Sequence, residues 1–322
     1  MRKLSVLILC FAVLFCSCTV SFQETPTDIT TTTASQELPE VDFSDKNKYT
    51  VDCFGDGFTK SSITSYTHWL GTMLGYNWTV NNYGARDDTV LGICARQGCI
   101  PAVIEPVTVP NENNYTDCKI ISSYKGRALP KMLISTSEGF NPVTIGNDLF
   151  SITNVAVDDE TSEYSIRPIT AVMEPTVIDE TTKILSNYAV NNHYNSIIIV
   201  MMGSDQTYES IEELVEFNKK MVAGYERYIV IAEPYAIRGN DRADYDKLML
   251  DAFGANYLNA REYIIRNGLS DLGIEPTETD LERIKNGYTP SSLMTGKYYN
   301  EDGNKVLAQC IFNKGVELGY WS

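Results

Sequence analysis

Hydrophobic and polar positions change their period several times along the chain. "KYTVDCF", from residue 48, is a short apolar run and predicts a buried strand, "SSITSYTHWLGTML" spaces its apolar residues as a helix does, and "NWTVNNYG" predicts a second strand ending on a glycine turn. This alternation is βαβ grammar and predicts a parallel sheet. Between about residues 100 and 184 it stops. "IPAVIEPVTVP", "CKIISSY", "PVTIGNDLFSITN" and "EYSIRPITAVM" are strand-like runs separated by Gly, Pro, Asn and Asp, with no helix-length pattern between them, and predict an inserted antiparallel β-module. The α/β pattern resumes with the fully apolar strand "NSIIIVMMG" and the amphipathic helix "TYESIEELVEFNKKMVAGY". A strand at "RYIVIAEP", a helix at "DRADYDKLMLDAFG" with Gly254 as its C-cap, and a closing helix at "NEDGNKVLAQCIFNKGVEL" complete the pattern.

The N-terminus changes the picture. "MRKLSVLILCFAVLFCSC" has a basic start and an apolar run too short to span a bilayer, followed by small residues and cysteines, which is signal-peptide anatomy. Phe15-Cys16-Ser17-Cys18 resembles a bacterial lipoprotein cleavage box, with Cys18 as the lipidated residue; simple secretion is the alternative. The Thr-, Ser-, Pro- and acid-rich stretch that follows reads as a tether. The expected organisation is therefore a signal peptide over 1–17, a tether over 18–46, an α/β domain from 47–99 and 185–322, and a β-rich insertion over 100–184. The expected location is outside the cytoplasm, with the lipid anchor as the only membrane contact.

Charge and cysteines narrow the classes further. A formal charge of −16 over 322 residues argues against nucleic acid or an anionic membrane surface as partner, since phosphate binding needs clustered Lys and Arg. Beyond Cys18 the cysteines are Cys53, Cys94, Cys99, Cys118 and Cys310. In an oxidising compartment Cys94 with Cys99 or Cys118 is the expected pairing, and the odd count leaves one thiol over. His68 and His193 are far from any cysteine pair, so no zinc spacing exists and no cofactor is expected.

Ligands of an open parallel sheet sit at the carboxyl ends of its strands. Those ends read Gly55-Asp56-Gly57, Asn82-Tyr83-Gly84, Gly203-Ser204-Asp205 and Glu233-Pro234, with "LMTGKYYNEDGNKVLA" before the last helix. This collinear order resembles the SGNH hydrolases, also called GDSL esterases and lipases. It is most similar to a bacterial secreted branch with a β-rich insertion, which shares stretches of the type "ARQGCIP", "REYIIRNGL", "PTETDLERI" and "ELGYW". The likeness runs over about residues 48–322. It implies a three-layer α/β/α sandwich with a mainly parallel, flavodoxin-like sheet. In that family a Gly-Asp-Ser turn supplies the nucleophile, a glycine and an asparagine build the oxyanion hole, and an Asp-x-x-His precedes the last helix. Here those positions are Gly57, Gly84, Asp205, Thr295 and Tyr298. Only the glycine is kept. A serine triad needs nucleophile, base and orienting group together, so the resemblance implies a degenerate, non-hydrolytic member.

Substitute groups are few. Ser61, Ser62 and Ser204 read as caps or solvent contacts, and His68 and His193 as packed or loop residues. What the crevice offers is Asp56, Asp205 and Glu233 with Tyr83, Tyr208, Tyr235, Tyr298 and Tyr299 close by. Acids and rings suit a carbohydrate or other cell-envelope ligand. Three converging carboxylates also suit a hard cation. The plainest reading makes Asp56 a turn residue and Glu233 a solvated loop acid. Beside the binding reading stand an ester hydrolase on acylated carbohydrate with a rearranged site, and an adhesive surface protein acting through the insertion.

Overall fold

The first apolar run forms β1 (Thr50–Gly55), and every one of its six residues is buried. It lies between β2 (Thr79–Gly84) and β3 (Ile197–Met201), both parallel to it, and β4 (Tyr228–Ile231) and β5 (Tyr257–Leu258) extend the sheet beyond β3. The strand order is 2-1-3-4-5, all parallel. The structure, a computed structural model, describes residues 49–60, 64–129, 132, 134–156, 162–169, 174–179, 182–191, 193–205, 207–232 and 241–321. The expected signal peptide, Cys18 and the tether, together with Ser61, Ser62, Glu233, Pro234 and Tyr235, lie outside the described residues.

Alternate residues of the central strands feed two separate cores. Val51, Cys53, Ile197, Ile199, Ile229 and Ile231 pack with α2 (Tyr66–Leu74), α6 (Ala260–Asp271) and α8 (Glu301–Glu317). Phe54, Ile198, Val200 and Val230 pack with α3 (Val90–Gln97), α4 (Ile211–Val222) and α5 (Asp241–Phe253). A period of two along each strand is what puts neighbouring residues into different cores. Among the described residues no helix is long and apolar enough to cross a membrane.

The insertion folds as antiparallel sheets, as its composition predicts. Thr116–Cys118, Ser162–Pro168, Asp148–Ala156 and Val143–Ile145 form a four-stranded sheet in that order. Lys183–Ile184, Ala102–Ile104 and Ile120–Ser122 form a second. Phe150, Ile152 and Ile166 of these sheets, with Phe140 from the loop before them, belong to the same apolar cluster as Phe54 and α3. The insertion and one face of the parallel sheet thus share a core, and the described residues fall in a single compact unit.

Two expectations need correction. The segment after β2, assigned no element from the sequence, forms α3: Thr89 caps it through its side chain, and Gly98 at φ 97 closes it. The cysteines expected to pair are all free. Cys99 instead directs its thiol to the Cys94 carbonyl at 3.7 Å and to the Met221 sulfur at 3.5 Å. Burial pushes the Cys94 thiol well up, and Cys310 up to about 12, which keeps both protonated.

Candidate functional site

Register brings the strand ends level. Gly55 pairs with Gly84 on one side and Met201 on the other, so residues 56–57, 85–88 and 202–205 emerge together. The β1 end turns into α1 (Gly57–Lys60), which crosses close over β2. A Cβ on Gly84 would stand 2.2 Å from the Lys60 nitrogen, so only glycine lets the helix backbone pass. Gly84→Ala is expected to cost roughly 2 kcal/mol in urea unfolding, the scale of an overpacked site. The Gly84 N–H is donated to Asn82 Oδ1 at 2.9 Å and is not open to an incoming oxyanion.

Asp56 and Asp205 at this edge are turned toward the loops beside them. Asp56 is 2% exposed and accepts hydrogen bonds from the Phe58 N–H at 3.0 Å, the Ser204 N–H at 3.2 Å and the Ser204 hydroxyl. Asp205 accepts from the Val90 N–H at 3.2 Å and from the Thr207 hydroxyl, and its other oxygen is buried without a hydrogen-bond partner. Burial pushes both carboxyls above the usual range, and for Asp56 the charge of Asp205 adds to it. Both acids therefore hold the loops at the strand ends together. Ser204, the loop serine, is spent on Asp56. Tyr208 is half-buried against the larger core.

A third acid completes the set. Asp88, fully buried, pairs with Arg96 Nε at 2.7 Å, and Arg96 is itself fully buried. The guanidinium also donates to the carbonyls of Tyr83 at 2.7 Å, Glu138 at 3.0 Å and Gly55 at 3.4 Å. It joins β1, β2, α3 and the insertion at one point. Burial pushes Asp88 up to about 6 even with Arg96 beside it. Among the described residues no group of three or more His, Cys, Asp or Glu could hold a metal ion.

The outward-facing chemistry is aromatic and cationic. β6 (Met294–Thr295) and β7 (Tyr298–Tyr299) form a hairpin whose turn uses Gly296 at φ 59, and the hairpin lays Tyr298 over Gly57. A Cβ on Gly57 would stand 2.5 Å from the Tyr298 ring and hydroxyl. The tyrosine thus fills the space of the missing side chain. Its ring meets Phe58 edge-on at 5.2 Å and has Arg86 at 5.6 Å and Lys297 at 5.1 Å from its centroid. Thr295, level with Tyr298 on the hairpin, is exposed.

Neither histidine reaches this edge. His68 is exposed on α2 beside Trp69. His193 lies just before the start of β3, at the opposite end of the sheet, stacked on Tyr188 at 4.1 Å with Nδ1 3.3 Å from Asp52. Asp52, fully buried in the middle of β1, accepts hydrogen bonds from Asn81 at 2.8 Å, Tyr188 at 2.9 Å and Ser196 at 2.7 Å. The network borders a cavity of about 420 Å³. The sequence signal for it was Asp52 itself, an acid inside an otherwise apolar strand.

Comparison of the chain with protein-family models, with curated proteins and with solved structures gave no match.

Proposed function

We propose that the chain is a degenerate relative of the SGNH hydrolases that binds a carbohydrate or other cell-envelope ligand at the carboxyl edge of its parallel sheet without hydrolysing it. The observation that carries this reading is Tyr298 packed into the place a nucleophile side chain would take at Gly57. The committed Gly84 N–H and the distance of both histidines from this edge support it further. The 2-1-3-4-5 strand order, with helices packed into a core on each face, supports a three-layer, flavodoxin-like sandwich. Cys18 would then anchor the protein outside the cytoplasm, with the 18–46 tether presenting the crevice to the envelope.

The test has a hydrolytic and a binding arm. The wild type is expected to hydrolyse p-nitrophenyl acetate at the buffer rate, and so is Gly57→Ser, which restores a hydroxyl with no base near it and must displace Tyr298. Turnover that disappears with a single Ser or His substitution would sink the reading. In the binding arm, calorimetry with envelope oligosaccharides should show Tyr298→Ala weakening affinity about tenfold, the worth of one aromatic stacking contact.

A further inference from the structure

The chain carries 42 acidic against 26 basic residues, yet one recess gathers four cations and has, among the described residues, no acid in its wall. It is a cavity of about 250 Å³ beside α1, lined by Phe58, Arg242, Arg261, Arg283, Tyr288 and Lys297 among others. Arg261 is held by Asp246 through two contacts of 2.7 and 2.8 Å, and Lys297 has Asp87 at 3.5 Å. Arg242 and Arg283 have no carboxylate within ion-pair distance among the described residues. Both are fixed on the loop that follows α7 (Glu278–Lys285). Arg242 Nη1 donates to the Gly287 carbonyl at 2.6 Å and Arg283 Nε to the Thr289 carbonyl at 2.6 Å. Tyr288 stands between those carbonyls, and the two guanidinium carbons lie 5.9 and 6.0 Å from its ring centroid.

The recess is shaped for these groups. Gly287 has φ 73, and a Cβ there would stand 2.7 Å from Arg242 Nη1, so the loop yields space to the guanidinium. Arg242 Nε is buried without a hydrogen-bond partner. A buried donor left unpaired is costly unless an acceptor comes to it. Each arginine spends one N–H on the backbone and keeps the rest of its planar fork, the geometry that pairs with a planar or tetrahedral oxyanion. Phe58 borders the recess and also touches Tyr298, so it adjoins the crevice.

We propose that Arg242, Arg283 and Tyr288 form a binding site for an oxyanion, the carboxylate of an acidic sugar or a phosphate group, carried by the envelope ligand. The inference rests on the crevice reading and deepens it. The volume lies below the roughly 300–1,000 Å³ of sites for drug-sized molecules, which fits one sugar ring or a smaller anion.

Calorimetry on the full chain at low ionic strength tests it with three probes: glucuronate, glucose and inorganic phosphate. Glucuronate is expected to bind and glucose not. Arg242→Gln and Arg283→Gln should each weaken glucuronate about tenfold or more, the worth of one charge-assisted hydrogen bond. Phosphate binding with the same arginine dependence also supports the site and assigns its natural ligand to phosphorylated polymers. On the wild type alone, affinity must fall as salt rises. Failure of both anions to bind, affinity indifferent to salt, or unchanged affinity in two correctly folded variants would overturn the proposal. Neutral oligosaccharide binding that needs Tyr298 while neither anion binds would end this inference and leave the crevice reading standing. Arginine-dependent glucuronate binding indifferent to Tyr298→Ala would do the reverse.

Discussion

Arg96→Met is expected to lower unfolding free energy by about 3–5 kcal/mol, the cost of removing one partner from a buried ion pair. The variant strands Asp88, which is fully buried and has Arg96 as its counter-charge. It also removes the donor for three carbonyls, those of Gly55, Tyr83 and Glu138. Adding Asp88→Asn should recover part of the loss, since the stranded charge goes while the three carbonyls remain unserved. The pH dependence has a definite sign. Asp88 is pushed up to about 6 in the fold, so its contribution is fully present below about 4, its unfolded value, and is lost as pH rises through 6. Without Arg96 the folded value moves higher still, and the deficit of the variant grows from pH 5 to 8. Urea titrations of both proteins across that range measure it. A deficit that is constant with pH would refute this account of Asp88.

Asp280→Asn is the second large effect, about 3 kcal/mol at pH 7, because several charge-assisted hydrogen bonds weaken together. Asp280 is fully buried. One of its oxygens accepts from the Ser291 hydroxyl at 2.7 Å and the Ser292 N–H at 2.9 Å. The other accepts from the Thr277 N–H and hydroxyl at 3.0 and 2.8 Å and the Ser292 hydroxyl at 2.7 Å. An asparagine amide would turn a donor toward donors on one side. Burial opposes the charge, but the hydrogen bonds of Ser291, Ser292 and Thr277 outweigh it and hold the carboxyl well below the usual range. A depressed folded value contributes stability above the unfolded value of about 3.9 and loses it as pH falls through the folded one. The gap between wild type and variant should therefore be level from pH 7 to 5 and close below 4. Because Asp280 fixes the turn leading into the β6–β7 hairpin, the same variant should loosen Tyr298 over Gly57.

Much of the fold could be read from the chain because its strands are fully apolar or alternate cleanly. "NSIIIVMMG" became β3 and the closing helix fell within a residue or two of its expected ends. α3 escaped because all eight of its residues are buried and Gly92 interrupts it, so it has no polar face to mark a helical period. The site was half legible. Sequence order put Asp56, Asp205 and Tyr298 at the strand ends, where they are. It did not show that Asp56 would be satisfied by Ser204, 148 residues away, nor that Asp205 would be tied to α3. Side-chain direction at a strand end is decided by donors that arrive from other loops. At that edge Asp56 and Asp205 are turned to nearby donors, while Tyr298 has Arg86 and Lys297 over its ring. Arg242 and Arg283 gave no signal at all, since each sits in an ordinary charged helix until the 287–289 loop gathers them.

The central place of β1 in the sheet has a consequence for synthesis. The Ser196 hydroxyl that donates to Asp52 lies 144 residues further along the chain, and the hydrogen-bonded neighbour of β1, β3, begins at the next residue. At translation speeds of about 5–20 residues per second, β1 waits roughly 7–30 seconds for that partner. Nascent chains that end before Ile197 lack the β3 partner of β1, and those that end before Ser196 also lack one of the three donors to Asp52. The centre of the parallel sheet is therefore completed only after more than half of the chain has been made.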